Sequence, residues 1–504
     1  MNDPAAMSDP ARTQDLTELL ARIRSGPAGP EVLAVFDLSA VLDGFTGPSV
    51  LRRTRPGGVR DPAARILLDG FEPALTDGGY SRFLHQAAAR LAGRRRDELA
   101  ELGVRLFRRE VYGYLFPEAW QLVQTHLARG HTVVLVSALT EFQVAPVAAE
   151  LGIEHVLCTA MDTDADGALT GYVAGKTLWR NGKARAVRAF ATERGLAPTA
   201  GYAYSGATTD QPLLALTAHP VVIDPDRILR AAAVDHDWPV VSFRRRRDPR
   251  LVDYVRTVAG FVALLLGALS GVLAKSSTRE RRAMADGLMA YGTAATLATV
   301  GVRVRVTGAR NARSPRPAVF LFNHQSQFDV IIVPHVLHGG VTGIGKKELT
   351  RNPVFGPLMR FVGVTFIDRS STEKARAALA PVVHTLREGL SIAVSPEGTR
   401  SYSPAVGPFK KGAFHIAHQA GVPIIPVVIR NAGEIARRNS MVARAGTVDV
   451  AILEPVDVGD WNLAELDLRA EQVRQLFVDT LLDWPEPDEA ARPRPKRQRQ
   501  ARKG

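Results

Sequence analysis

The run Ala318-Val319-Phe320-Leu321-Phe322-Asn323-His324-Gln325-Ser326-Gln327-Phe328-Asp329 decides how this chain is read. Its first five residues are apolar and predict a buried strand. The apolar run from Val330 to Leu337 predicts a helix. His324 and Asp329 therefore fall at a strand-to-helix turn. On one continuous helix, five residues would set the two side chains roughly 140° apart, so they meet only if the turn is irregular. If they meet, the carboxylate fixes the imidazole tautomer, and the other ring nitrogen is free to take a proton from a hydroxyl. That is a base and its orienting group without a protein nucleophile. It suits a reaction in which the substrate's own hydroxyl attacks.

This stretch resembles the H-x4-D motif of the glycerolipid acyltransferases, specifically the lysophosphatidic-acid (1-acyl-glycerol-3-phosphate) acyltransferases. Three further blocks follow in that family's order. Gly363-Val364-Thr365-Phe366-Ile367-Asp368-Arg369 is similar to its G-x-x-F-I-x-R block, and Pro396-Glu397-Gly398-Thr399-Arg400-Ser401 to its P-E-G-T-R-S block. Val422-Pro423-Ile424-Ile425-Pro426-Val427 is similar to its proline-bracketed apolar block. The resemblance covers roughly residues 300–460.

It implies an O-acyltransferase that moves a fatty acyl group from a thioester, acyl-CoA or acyl carrier protein, to the free hydroxyl of a lysophospholipid, giving phosphatidic acid for phospholipid synthesis. His324 is then the base and Asp329 its orienting group. No acyl-enzyme and no cofactor is needed. Backbone N–H groups near Glu397–Thr399 are the expected oxyanion donors. Arg369 and Arg400 lie in the motifs that the family uses for the acceptor's phosphate, and arginine suits bidentate phosphate binding. Lys346-Lys347 and Lys410-Lys411 are further cations, suited to CoA phosphates, and Asn323 is a further substrate contact. Gly398 permits close backbone approach. Thr399 and Glu397 brace the loop, or Glu397 touches the glycerol hydroxyl. His335, His338, His384, His415 and His418 lie outside the motifs and are expected to be surface or packed histidines.

The chain has 504 residues, more than one ordinary domain, and its 46% apolar content is enough to build cores. A formal charge of +13 favours an anionic partner: nucleic acid, an acidic membrane surface or a phosphorylated, CoA-type substrate. A single cysteine, Cys158, excludes an intrachain disulfide and a cysteine-rich zinc site, and fits a reducing compartment. No secretory signal is expected, because Met1 to Thr13 is polar.

Ahead of the organising stretch, residues 1–30 are expected to be poorly ordered from their Ala, Pro, Gly and charge content. Over about 31–235 strands alternate with helices, which predicts a parallel α/β sheet with sites at strand C-terminal ends. One strand ends in Phe36-Asp37-Leu38-Ser39 and another, Thr132 to Val136, ends in Ser137. Helical patterns fill about 73–129. Asn181-Gly182-Lys183, the run Ala203 to Asp210 and the strand Val221-Val222-Ile223 follow.

This pattern resembles the phosphoserine-phosphatase-like haloacid dehalogenase (HAD) phosphatases, a Rossmann-like sheet with a helical cap. In that family Asp37 would be the nucleophile, Ser137 would hold the phosphate and Lys183 would stabilise the phospho-aspartate. Two positions depart. Ser39 stands where the family has its acid/base Asp. The late acidic pair that helps hold magnesium keeps Asp210 but has Gly206 for its first member. Losing a general acid costs roughly 10²–10⁴-fold, and Mg²⁺ rests on one or two carboxylates. The expectation is a degenerate domain, weak or inactive as a phosphatase, with Mg²⁺ binding argued against.

A basic linker, residues 236–256, contains Arg244 to Arg247 and Arg250. Thr257 to Ala274 carries no charge, Lys275 to Arg282 is basic, and Met284 to Val302 is apolar apart from Asp286. If both apolar segments crossed a bilayer, the loop with Lys275, Arg279, Arg281 and Arg282 would lie outside, against the positive-inside rule. The pair, residues 257–302, is therefore expected to lie in or dip into the cytoplasmic leaflet of a bacterial membrane, with arginines on lipid phosphates; a buried core helix pair and a true transmembrane span are the alternatives. Residues 303–484 form the acyltransferase domain. Leu463, Leu466, Val473, Leu476, Phe477 and Leu481 predict a closing amphipathic helix that ends at Trp484-Pro485. The tail, residues 485–504, has seven Lys/Arg and no acid between Arg492 and Lys503, and membrane adhesion rather than nucleic acid is its expected use.

The fold class read from the sequence is thus α/β in two domains joined by a membrane helix pair. The other readings are a Mg²⁺-dependent phosphatase as the main activity and a non-enzymatic basic membrane scaffold. Ser39 and Gly206 count against the first, and His324 with Asp329 against the second.

Overall fold

A computed structural model describes residues 13–43, 61–69, 77–243, 249–346, 350–351, 355–367, 379–398, 400, 405–436 and 440–486. The chain divides into two compact units, Met1–Arg247 and Asp248–Gly504.

The first unit is built on a seven-stranded sheet: β1 (Leu33–Asp37), β2 (Thr132–Thr140), β3 (His155–Thr163), β4 (Leu169–Ala174), β5 (Tyr202–Ser205), β6 (His219–Ile223) and β7 (Val240–Val241), in the order β4-β3-β2-β1-β5-β6-β7. All neighbours are parallel except β3 and β4. β1 is central and buried throughout, as an unbroken apolar run covered on both faces must be. Helices Asp77–Leu91 and Arg96–Leu106 lie in the long connection between β1 and β2, within the stretch of about 73–129 expected to be helical. β2 runs past the expected end at Ser137, with its register against β3 shifting between Val136 and Thr140.

The expectation of poor order over residues 1–30 is corrected. Residues 1–12 lie outside the described residues, but Leu16–Ser25 is a helix. Asp15 caps it by accepting the Thr17 N–H at 2.9 Å, and Leu19, Leu20 and Ile23 are buried. Average composition hid a short segment with apolar residues at helical spacing.

The second unit holds β8 (Val302–Thr307), β9 (Val319–Phe322), β10 (Val341–Lys346), β11 (Thr365–Ile367), β12 (Ser391–Val394), β13 (Ile424–Arg430) and β14 (Gly446–Ile452), in the order β11-β10-β12-β9-β13-β14-β8. From β11 to β13 the strands are parallel, and β14 runs antiparallel to β13. β9 sits at the centre, so the residues just after it open at the C-terminal edge of the parallel strands.

The expected helix pair comprises Leu251–Lys275 and Arg281–Val300. The two helices pack backbone to backbone through glycines: a Cβ on Gly271 would stand 2.1 Å from the Gly287 carbonyl oxygen, and one on Gly267 2.7 Å from that of Tyr291. They differ in what they bury. The first is long and apolar enough to cross a membrane and leaves Val258, Leu266 and Leu273 exposed. The second packs on the sheet of the second unit, where Leu297 and Val300 join a core with Val302, Phe320, Ile332 and Val336. Asp286, the acid that interrupts this apolar stretch, accepts the Gly340 N–H at 2.8 Å.

The closing helix is Leu466–Leu482 and buries Leu466, Ala470, Val473, Phe477 and Leu481. Leu463 and Leu476, expected in the same stripe, are exposed. Leu463 precedes the helix in a 3-10 turn, and Leu476 lies off its buried face. The basic tail from residue 487 lies outside the described residues.

Candidate active site

β9 ends at Phe322, and the chain then turns sharply into the helix Asp329–Leu337. Asn323 replaces a rung of the sheet. Its Nδ2 donates to the Ile429 carbonyl at 2.9 Å, and its Oδ1 accepts the Ile429 N–H at 2.7 Å. The expectation that Asn323 touches substrate is thereby corrected: the side chain is buried and committed to β13.

The turn is irregular, as the meeting of His324 and Asp329 requires. His324 Nδ1 donates to Asp329 Oδ2 at 2.7 Å, and the N–H groups of Gln325 and Ser326 donate to the same oxygen, each at 2.8 Å. One fully buried carboxylate thus folds the loop and orients the imidazole. Ser326, which sequence reasoning missed, pins the loop's far side: its Oγ donates to the Ala436 carbonyl at 3.0 Å and accepts the Phe328 N–H at 3.1 Å. A Ser three residues before a helix-starting Asp is the signal that was available. The His324 ring meets the Phe322 ring in a T-shaped contact, and the His324 side chain keeps 22% of its exposure.

The loop after β12 supplies a second carboxylate. Glu397 Oε1 accepts the His324 N–H at 2.8 Å and Oε2 accepts the Gly407 N–H at 3.0 Å. Burial, with the charge of Asp329, pushes its pKa up to about 7 although both N–H donors oppose the rise. Of the two roles expected for Glu397, the geometry matches bracing. Every backbone N–H from His324 to Ser326 is therefore taken by a carboxylate, so an oxyanion finds no donor there.

Gly398 has φ +70°, a conformation that glycine adopts without strain. Its N–H donates to the Ser395 carbonyl at 3.3 Å. A Cβ at this position would stand 2.9 Å from Lys410 Nζ, so the Lys410 side chain lies along the loop. Lys411, by contrast, is tied to Asp467 on the closing helix at 2.6 Å. Arg400 is partly exposed on the same loop as Glu397. Lys347, Arg369 and Thr399 lie outside the described residues, as does the side chain of Lys346. His335 packs near Thr293, and His384 pairs with Glu388 at the surface.

In the first unit Asp37, Ser39, Lys183 and Asp210 come together. Lys183 Nζ lies 2.6 Å from Asp37 Oδ2 and 2.8 Å from Asp210 Oδ1, all three side chains being buried. Ser205 Oγ donates to Asp210 Oδ2 at 2.8 Å. Ser39 Oγ accepts the Gly206 N–H at 3.0 Å and stands 3.1 Å from Ser205 Oγ. Ser137 follows Val136, the register partner of Asp37, and its Oγ accepts the Leu139 N–H. Burial works to raise the Asp37 pKa, but the Lys183 ammonium outweighs it and holds the carboxyl below its usual range. Burial and the Asp37 charge push Asp210 up to about 7 against the pull of Lys183.

Residues 303–430, which carry the buried carboxylate and the imidazole it orients, match the family model named acyltransferase and define this unit as an O-acyltransferase. Residues 34–215 match the model for haloacid dehalogenase-like hydrolase. The 1-acyl-sn-glycerol-3-phosphate acyltransferase of Salmonella typhimurium strain LT2 is 34% identical over 184 residues, spanning 36% of this chain and 74% of that protein. The enzyme of the same name from Escherichia coli K12 is 36% identical over 177 residues, spanning 35% and 69%. That of Saccharomyces cerevisiae is 35% identical over 192 residues, and the match covers 61% of its length. The chain belongs to the 1-acyl-sn-glycerol-3-phosphate acyltransferase family and joins to it a haloacid dehalogenase-like unit.

Proposed function

We propose that the second unit transfers a fatty acyl group from acyl-CoA or acyl carrier protein to the free hydroxyl of 1-acyl-glycerol-3-phosphate, giving phosphatidic acid. The observation that carries this reading is the 2.7 Å contact between His324 Nδ1 and Asp329 Oδ2, which leaves Nε2 for the substrate. The hydroxyl oxygen attacks the thioester carbonyl carbon while Nε2 takes the hydroxyl proton. The tetrahedral intermediate collapses, the C–S bond breaks, and the thiolate recovers the proton from the imidazolium. Asp329 stabilises that imidazolium. The acceptor's phosphate is met by cations of the 396–400 loop and its neighbours: Arg400 and Lys410, with Arg369 from the block after β11. Lys346 and Lys347 serve the donor's phosphates.

The helix pair sets this centre on the cytoplasmic face of a membrane. The exposed apolar side of Leu251–Lys275 enters the leaflet. Asp286 supports a pair that lies in the surface, because its carboxylate is used by the catalytic unit and not left in lipid. The haloacid dehalogenase-like unit is weak or inactive as a phosphatase.

The test is acyl transfer from labelled acyl-CoA to lysophosphatidic acid in detergent, with wild type beside His324→Ala. Phosphatidic acid from wild type alone supports the reading. Equal product from both sinks the mechanism. If neither makes product with CoA or carrier-protein donors, the substrate assignment fails.

A further inference from the structure

The haloacid dehalogenase-like fold implies Mg²⁺ in its cleft, and the donor set found here does not fit that ion. Mg²⁺ demands oxygen ligands in near-octahedral geometry and leans on carboxylates to repay its dehydration. The cleft offers two, Asp37 and Asp210. All four of their oxygens already hold a donor: Asp37 Oδ1 the Ser39 N–H, Asp37 Oδ2 the Lys183 ammonium, Asp210 Oδ1 the same ammonium, and Asp210 Oδ2 the Ser205 hydroxyl. Among the described residues no group of three His, Cys, Asp or Glu side chains is close enough to hold a metal.

The two family carboxylates that are missing have been replaced by a neutral lattice. The Ser39 hydroxyl accepts the Gly206 N–H and meets Ser205 Oγ, so the loop after β1 is bonded to the loop after β5 at the positions where those acids would stand. A buried ammonium between two carboxylates already offsets half of their charge. A divalent cation added beside it would meet repulsion from Lys183 without a third anion to offset it.

We infer that this unit does not take up Mg²⁺, and that Asp37, Lys183 and Asp210 have become a structural pin. The pin ties the end of β1, the start of the helix Asn181–Glu193 and the turn Thr208–Asp210 into one edge. Lys183 does there, by holding the carboxylates of Asp37 and Asp210 together, what the metal does in an active cleft. This inference does not depend on the acyl-transfer reading of the other unit.

Three measurements on the full chain in detergent test it. Calorimetric titration of wild type with MgCl₂, with and without inorganic phosphate, is expected to show no saturable uptake, and the unfolding midpoint is expected to stay unmoved by Mg²⁺. Saturable uptake, a Mg²⁺-dependent rise in Tm, or Mg²⁺-dependent phosphate release from a phosphomonoester overturns the inference. Lys183→Met leaves two buried carboxylates unpaired and is expected to lower the midpoint of the first unit by about 10 °C. An unchanged midpoint overturns the pin. Ser39→Asp with Gly206→Asp restores the missing acids and is expected to gain Mg²⁺-dependent stabilisation. A folded double variant that stays blind to Mg²⁺ overturns the claim that these two positions exclude the metal.

Discussion

The backbone N–H of His324 donates to Glu397 Oε1 at 2.8 Å while its imidazole donates to Asp329 at 2.7 Å. His324 is thus gripped at both ends by carboxylates from different elements. One sets the ring's tautomer, and the other sets where the ring begins.

Asp329→Asn keeps an acceptor for the turn N–H groups but no longer stabilises a charged imidazole. We expect kcat lower by about 10²–10⁴-fold with lysolipid binding little changed. Steady-state kinetics beside a direct binding assay separate the two. A loss confined to KM would contradict the assigned role.

Glu397→Ala leaves the N–H groups of His324 and Gly407 without their acceptor, at a cost of about 1–3 kcal/mol each if they stay buried. We expect a fall in both stability and kcat. Glu397→Asp, one carbon shorter, is expected to recover part of each.

Glu397 also predicts a pH dependence of stability. Its folded pKa, about 7, lies above the ordinary value of 4.5. The folded chain therefore binds this proton more tightly than the unfolded chain. Its contribution is fully present below about 4.5 and is lost as pH rises to about 7. Urea unfolding across that window should show stability falling from this group, and Glu397→Gln should flatten that component. A slope unchanged in the Gln variant would refute the assignment.

Gly398→Ala places a Cβ at φ +70° and 2.9 Å from Lys410 Nζ. The backbone strain alone costs about 1 kcal/mol, and the lysine must swing off the loop. The expected readout is a KM for the phosphorylated acceptor raised about tenfold, with a smaller change in kcat. A change in kcat alone would remove Lys410 from the acceptor's surroundings.

Gly271→Leu drives a side chain into the Gly287 backbone and should destabilise the helix pair by about 1–3 kcal/mol. Replacing Val258, Leu266 and Leu273 together by Glu touches only exposed positions and should leave the fold intact. That variant should no longer sediment with vesicles containing anionic lipid. Undiminished sedimentation would move the membrane contact elsewhere.

Much of this was legible because the relevant residues are neighbours in sequence. The apolar run before His324 and the five-residue step to Asp329 demanded an irregular turn, and the turn is irregular. Ser39 and Gly206 were readable as departures from the family's acids by side-chain chemistry alone, and the two meet through the Gly206 N–H. What stayed hidden depends on contacts between distant segments. Nothing in Pro396-Glu397 announces that the Glu397 oxygens accept the N–H groups of residues 324 and 407. Asn323 carries the right chemistry for a ligand contact, and only the pairing of β9 with β13 shows it spent on Ile429. Asp286 reads as a flaw in an apolar helix until Gly340 is placed beside it. The Leu16–Ser25 helix was masked by averaging over a window longer than the helix itself.

The grip of Asp286 on Gly340 also bears on where this protein can be cut. Leu297 and Val300 belong to the same core as Ile332 and Val336. A chain begun at residue 303 would keep every acyltransferase motif yet lose three core side chains, Leu297, Val300 and Val302, and the acceptor for a part-buried N–H. The helix pair is a wall of the second unit, and changes to its surface belong on the exposed side of Leu251–Lys275 rather than in its removal.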